Sequence, residues 1–271
     1  MVDRRTLDPK TLVRIQAPEP ISLTDIFLCY DFDMKVLVIV PTYNEKENIR
    51  EIIKAILDIG PQYHILVVDD NSPDKTWRVV GGLQRKNRKL HLIVREFKEG
   101  IGPAYISGFK FALKNDYDYV LQMDADLSHD PEAIPVMVSL IGKKNWVIGS
   151  RYVKGGNIKG WERKRKFLSW FGNWYTRLIL GYKIKDWTSG FNLWPIAFIK
   201  KLSLTPDQFP NGYAFQIALK WQALKMGYEP LEIPITFRDR HRGKTKIAGG
   251  IINEAAVTVL RLRISNHRPK K

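Results

Sequence analysis

From Lys35 onward, short apolar runs alternate with stretches of helical period. Val36–Val40, His64–Val68, Leu90–Val94, Tyr119–Met123 and Trp146–Gly149 are brief and rich in β-branched or aromatic residues, which predicts buried strands. Helices are predicted between them, from about Glu47 to Leu57, from about Lys75, near Pro103 and from about Pro131. Strands that alternate with helices predict an α/β fold, a mostly parallel sheet with helices on both faces. The functional loops of such a sheet lie at the carboxyl ends of its strands. Three polar segments fall on that edge: Pro41-Thr-Tyr-Asn-Glu45, Asp69–Asp74 and Asp124–Ser128.

The pattern changes after Arg151. Trp161–Tyr182 is basic and aromatic, and Phe167, Trp170, Phe171, Trp174 and Leu178 recur at helical spacing as one apolar stripe. Arg165, Ser169 and Asn173 form a polar stripe on another side. A stripe of this kind either packs on the sheet or lies in a membrane interface beside Arg163, Lys164 and Lys166. A further helix is predicted after Gly212, then a strand over Leu231–Ile235, then an amphipathic helix over Ile247–Ile264 that runs into a basic tail. Residues 1–33 hold Pro9, Pro18 and Pro20 and no sustained period, and read as a flexible leader. The expected organisation is therefore a leader at 1–33, a catalytic domain at 34–246 and an interfacial helix with its tail at 247–271.

Composition narrows the partners. The 271 residues carry a net charge of +16, which points to anions: phosphates, nucleotides, acidic lipid or nucleic acid. The single cysteine, Cys29, excludes an internal disulfide and multi-cysteine zinc sites, and fits a reducing compartment. No apolar run reaches the ~20 residues of a membrane span, so membrane contact is expected to be peripheral.

The chemistry centres on Asp124 and Asp126. Residues two apart at a strand end point to the same side. Two carboxylates there repel unless a cation lies between them, and oxygen donors suit Mg2+ or Mn2+ carrying a diphosphate. Asp69 and Asp70 follow a strand and can accept hydrogen bonds from a base or ribose, while Asn71 or Ser72 can cap a helix with Pro73 in its first turn. Gly100-Ile-Gly102 is a turn rather than a dinucleotide fingerprint, because Tyr105 stands where Gly or Ala is needed. That argues against a nicotinamide enzyme. Arg151, and the cluster Arg240, Arg242, Lys244 and Lys246, are cations in loops beside the acidic edge, suited to phosphate. The five histidines show no metal-ligand spacing.

Pro41-Thr-Tyr-Asn-Glu45, Asp69-Asp-Asn-Ser72, Asp124-Ala-Asp126, Gly149-Ser-Arg151 and Asp186-Trp-Thr-Ser-Gly-Phe191, in that order, resemble a family-two glycosyltransferase of the GT-A (Rossmann-like) type. Met123–His129, Gly212-Tyr-Ala-Phe-Gln216 and Pro234–Lys246 are similar to dolichol-phosphate (polyprenyl-phosphate) mannose synthases. The resemblance covers about residues 35–247. It implies an inverting transfer of mannose from GDP-mannose to dolichyl or polyprenyl phosphate, with Mg2+ or Mn2+, at the cytoplasmic face of a membrane. Pro41, Tyr43, Glu45 and Asp70 would hold the nucleotide. Asp124 and Asp126 would sit at the metal and diphosphate, with Ser128 or Gln216 nearby. Arg151, Arg165 and Ser169 would bind the acceptor phosphate, and Arg240 and Lys246 would close over the diphosphate. Asp126, Arg151 and Arg240 are the expected catalytic residues. Ser128 stands where some relatives have Gln, Thr245 replaces a frequent Ser, and the transmembrane helices of some relatives are absent from this sequence. The competing expectations are another donor, such as UDP-glucose, another acceptor, or a non-enzymatic basic module for membrane or nucleic acid. The last leaves the acidic segments without a use, so no nucleic acid is expected.

Overall fold

The structure is a computed structural model, and it describes residues 34–205, 208–239 and 250–265. The expected leader, residues 247–249 and the loop cations Arg240, Arg242, Lys244 and Lys246 lie outside the described residues.

Five parallel strands arise where the apolar runs predict them: β1 (Val36–Thr42), β2 (Tyr63–Asp69), β3 (Leu90–Val94), β4 (Tyr119–Gln122) and β5 (Asn145–Ser150). Helices α1 (Ile49–Ile59), α2 (Thr76–Gln84), α3 (Ile101–Lys114) and α4 (Ala133–Leu140) connect them. Helix α1 shows why: Ile49, Ile52, Ile53 and Ile56 recur at three- and four-residue spacing and are all buried, forming one apolar stripe against the sheet. The reading with Pro73 in a helical first turn is corrected, because α2 begins only at Thr76, after Lys75 in a left-handed conformation at φ 63°. The Ser72 hydroxyl and N–H instead turn back onto the Asp69 carboxylate.

The sheet holds seven strands in the order β3-β2-β1-β4-β7-β5-β8, with β7 (Asn192–Pro195) and β8 (Glu229–Pro234). Strand β7 runs antiparallel to both neighbours, with Gln122 opposite Asn192 on one side and Ile148 opposite Asn192 on the other. This insertion, absent from the expected strands, has a consequence for the site. A strand running backwards between β4 and β5 has its entry loop, residues 186–191, at the carboxyl ends of its neighbours. Gly149 permits the close packing there: its N–H donates to Phe191 O at 2.9 Å, and a Cβ on Gly149 would collide with the Phe191 ring.

The predicted strand at Leu231–Ile235 divides into β8 and a short β9 (Thr236–Arg238), which pairs in parallel with β6 (Asn157–Lys159) in a second sheet. The remaining helices are α5 (Arg163–Leu180), the single turn α6 (Ile196–Ile199), α7 (Ala214–Lys225) and α8 (Gly250–Ser265). Helix α7 is buried almost all round, as expected of an element within the core. Helix α8 packs against α5 and α7. Apolar side chains fill both faces of the main sheet in two clusters.

Candidate active site

The carboxyl ends of β1, β2, β4 and β5 bring Thr42, Asp69–Asp70, Asp124–Asp126 and Ser150–Arg151 to one edge. On the first part of that edge the two neighbouring acids separate in role. Asp69 is fully buried and accepts hydrogen bonds from Thr42 Oγ1 at 2.6 Å, Ser72 Oγ at 2.7 Å and Ser72 N at 2.8 Å. It ties β1 to the loop after β2. Asp70 points elsewhere, to the guanidinium of Arg95 at 2.8 Å. Burial pushes its carboxyl up to about 6, against the opposing pull of Arg95. Arg95 also reaches Glu99, so the segment 95–99 folds along this end of the edge. Lys98 Nζ lies 3.9 Å from the centre of the Tyr43 ring. Glu45 is buried, accepts from Asn48 Nδ2 at 2.9 Å and donates its N–H to Thr76 Oγ1 at 3.0 Å. Pro41 lies in the last turns of β1, partly buried. Pro41, Tyr43, Glu45 and Asp70 thus border one region, and Arg95 and Lys98 join them.

The centre of the edge is the turn after β4. Leu127 adopts φ 61°, a left-handed conformation that costs a branched residue about 1–3 kcal/mol. The turn brings Ser128 back, and both its N–H and its hydroxyl donate to Asp126 Oδ1, at 3.1 and 2.5 Å. The Ser128 hydroxyl therefore orients Asp126. His129 lies behind the acids, buried between the rings of Phe191 at 5.0 Å and Phe237 at 5.1 Å. Burial lowers its pKa to about 4, with Asp126 opposing, so it is neutral at ordinary pH. Its Nδ1 accepts from the backbone N–H of Asp124 at 3.5 Å.

Gln216, on α7, reaches the same place from below. A Cβ placed on Gly190 would lie 3.7 Å from Asp124 Oδ1 and 3.8 Å from Gln216 Nε2. The Gln216 oxygen accepts from Asn192 Nδ2 at 3.2 Å, while its Nε2 is buried without a hydrogen-bond partner. The amide thus offers a donor, rather than its oxygen, on the side of Asp124. Among the described residues no three or more His, Cys, Asp or Glu side chains are arranged to hold a metal ion by themselves. Two carboxylates at a strand end nevertheless fit a hard divalent ion, which takes few protein ligands when phosphate oxygens and water complete its shell.

The far end of the edge is cationic. Arg151 is nine-tenths buried and donates through Nε to Asp186 Oδ2 at 2.8 Å and through Nη2 to Asp186 Oδ1 at 2.7 Å and Thr188 Oγ1 at 2.8 Å. The rings of Tyr152, Trp161 and Phe237 surround it, at 5.5, 5.6 and 5.4 Å. Arg165 lies 4.0 Å over the Trp161 ring and pairs with Asp239 at 3.0 Å. Ser169 accepts from the Tyr152 hydroxyl at 2.8 Å, which leaves the Ser169 proton available to another acceptor. A pocket of about 360 Å³ runs from Arg151 and Tyr152 past Asn157 to Lys166, Phe167 and Trp170.

Helix α5 is built inside out. Its polar residues Asn173 and Thr176 are buried, and Asn173 Oδ1 accepts from the N–H groups of Trp187 and Thr188 at 2.7 and 3.2 Å. Its aromatic stripe faces outward: Phe167 is 64 % exposed, Trp170 48 %, Phe171 43 %, Trp174 39 % and Leu178 62 %. The reading in which this stripe packs on the sheet is overturned. On α8, beside α5, Val257, Leu260 and Ile264 are exposed as well. No helix among the described residues is long and apolar enough to cross a membrane.

Arg95 and Tyr152, which the sequence pattern did not single out, border the site, and so does Asp239, which belongs to the Pro234–Lys246 motif but was given no role. Tyr152 is adjacent to Arg151 in sequence, and its position after Gly149-Ser-Arg151 was the available signal. Arg240 and Lys246 lie outside the described residues.

A mostly parallel open sheet with a pair of acids at the end of its fourth strand and cations beyond is a GT-A-type fold, and the chain belongs to glycosyl transferase family 2, whose model matches residues 37–204. It is 38 % identical to an undecaprenyl-phosphate mannosyltransferase of Micrococcus luteus over 84 % of this chain and 93 % of that one. It is 39 % identical to a polyprenol monophosphomannose synthase of Mycolicibacterium smegmatis over 83 % of this chain and 85 % of that one. In fold it is similar to glucosyl-3-phosphoglycerate synthase of Mycobacterium tuberculosis, solved with Mn2+, UDP-glucose and phosphoglyceric acid. The TM-score is 0.67 over 94 % of this chain and 87 % of that one, at 17 % identity.

Proposed function

We propose that this enzyme transfers mannose from GDP-mannose to a polyprenyl phosphate, inverting the anomeric centre, while docked on a membrane surface. The observation that carries the reading is spatial. The cations Arg151 and Arg165, with the Ser169 hydroxyl, lie between the acidic end of β4 and the exposed aromatic face of α5. A lipid phosphate needs that arrangement, its head at the chemistry and its tail in the bilayer. The relatives at 38 % and 39 % identity, named for mannose and polyprenyl phosphate, support the same substrates.

In this reading the nucleotide lies along Pro41, Tyr43, Glu45 and Asp70, with the Asp70 carboxylate accepting from base or ribose. Asp124 and Asp126 would hold Mg2+ or Mn2+, and Ser128 keeps Asp126 aimed. Such an ion, when bound, supplies positive charge at the leaving diphosphate. The Gln216 amide donor faces the same region and can add a hydrogen bond to a phosphate oxygen. Arg165 and the Ser169 hydroxyl receive the acceptor phosphate beside Arg151. That phosphate, with a second pKa near 6, is already an oxyanion at neutral pH, so its placement in line with the anomeric carbon replaces a general base. One displacement then gives a β-linked product from an α-linked donor. The outward aromatics of α5 and the neighbouring α8, flanked by Arg163, Lys164, Lys166, Arg261 and Arg263, rest on the anionic headgroups of the cytoplasmic leaflet.

Donor choice is the test. Purified protein on a short polyprenyl phosphate is expected to turn over GDP-mannose far faster than UDP-glucose, and only with a divalent ion. Faster turnover of UDP-glucose would replace the donor, and transfer to a sugar hydroxyl alone would replace the acceptor.

A further inference from the structure

Helix α7 is apolar on nearly every side, yet it carries a lysine at its centre. Lys220 is fully buried. Burial drives its pKa down to about 7, against the pull of Asp186, with Arg151 lowering it further and Glu232 raising it. A lysine in such a place is costly, and a methionine of similar shape would fill the space without a buried charge. Its ammonium donates to two main-chain carbonyls, Trp187 O at 2.9 Å and Ser189 O at 2.7 Å. Both belong to the loop before β7. Between them stands Thr188, which accepts from Arg151, and just ahead of them Asp186, which holds Arg151 on three bonds. Gly190, the next residue, borders Asp124 and Gln216. Gln216 and Lys220 lie one helical turn apart and share a face.

We propose that Lys220 is a positioning residue for the acceptor phosphate: it fixes the 187–189 carbonyls, so that Asp186 and Thr188 hold the Arg151 guanidinium at one end of the site. Other contacts tie the same loop from its outer side. Glu232 accepts from the N–H groups of Lys185 and Asp186 at 2.8 and 2.9 Å, and Asn173 accepts from those of Trp187 and Thr188. Those contacts take up N–H groups. Lys220 takes up the Trp187 and Ser189 carbonyls, the second of which also accepts from Asn192 Nδ2 at 2.9 Å, so the loop is held from both faces. The consequence at Arg151 falls on the acceptor side of the reaction, whereas the nucleotide end at Asp70 lies across the sheet edge.

The inference rests on the proposed lipid-phosphate acceptor, and the experiment separates the two. Wild-type turnover of GDP-mannose and a short polyprenyl phosphate is measured first, and its absence overturns the acceptor reading. Lys220→Met is then compared with wild type in acceptor KM, donor KM and thermal midpoint. The expected result is an acceptor KM raised roughly tenfold, a donor KM within about twofold and a midpoint that is unchanged or higher. Lys220→Gln, which keeps a donor for one carbonyl, is expected to fold and to raise acceptor KM by a smaller factor, about threefold. A purely structural lysine lowers the midpoint and leaves both KM values of the folded enzyme unchanged. Wild-type acceptor KM in a folded Lys220→Met or Lys220→Gln overturns the proposal.

Discussion

Arg151 and Asp186, 35 residues apart in the chain, meet as a buried pair joined by two side-chain hydrogen bonds and by the Arg151 N–H. Burial alone would push the Asp186 carboxyl up, but Arg151 holds it below the usual carboxylate range. The pair gives the guanidinium a fixed plane, and rigidity of that kind is what placing a nucleophile requires. Removing one partner leaves the other charge buried alone. Asp186→Asn is therefore expected to lose roughly 3–5 kcal/mol of stability. Denaturant unfolding measures this, and a loss under about 1 kcal/mol would mean that the pair is relaxed or solvated in solution.

Asp126 is held by Ser128 at a loop rather than by packing. Asp126→Ala is expected to keep its fold and to lose metal-dependent turnover by about 100-fold or more. Circular dichroism and a Mn2+ titration of activity check the two halves. A folded variant with normal turnover would remove Asp126 from the metal and diphosphate.

Asp70 gives the site a pH dependence. Its carboxyl titrates near 6, and only the ionised form accepts hydrogen bonds through both oxygens. Nucleotide affinity is thus expected to strengthen as pH rises through about 6 and to be roughly tenfold weaker at pH 5 than its plateau. Asp70→Asn removes this component. Calorimetric GDP binding from pH 5 to 8 in both proteins checks it, and parallel pH profiles would place the titration elsewhere.

The exposed face of α5 sets a fourth expectation. Basic residues near an anionic leaflet contribute roughly 1 kcal/mol each, and salt screens them. The wild type is expected to co-sediment with vesicles of acidic phospholipid at low salt and to be released as salt rises. Trp170→Ala/Trp174→Ala removes two ring contacts and should be released at lower salt. Equal binding by both folded proteins at every salt concentration would mean that this face does not touch lipid.

Much of this was legible in the chain. Each apolar run of the first half became a strand within a residue or two of its predicted ends, because a doubly covered parallel strand must be apolar throughout. Asp69, Asp70, Asp124, Asp126 and Arg151 reached one edge because they follow strands that run in the same direction. What stayed hidden depends on pairing across distance. Strand β7 is four residues ending in Pro195, too short for a period to show, and its antiparallel direction is set by where the chain re-enters. Strands β6 and β9 are three residues each and exist only through each other. The orientation of α5 could not be read because its polar stripe is shorter than its aromatic one; the hydrogen bonds of Asn173 to the 187–188 backbone turn it inward. Asp69 and Asp70 are adjacent and chemically equal, and only Thr42 and Arg95 distinguish them. Lys220 is a single cation in an apolar helix, and its carbonyl partners lie more than thirty residues away.

The proposed reaction joins a nucleotide-sugar end to a lipid-phosphate end on one sheet edge. The direct measurement is product analysis after incubating the purified protein with GDP-mannose, Mn2+ or Mg2+, and a short polyprenyl phosphate. Equal amounts of GDP and a β-linked mannosyl phosphate lipid are expected, identified by mass and by the anomeric proton–carbon coupling. Release of GDP without a mannosylated lipid, or an α-linked product, would contradict the proposed reaction.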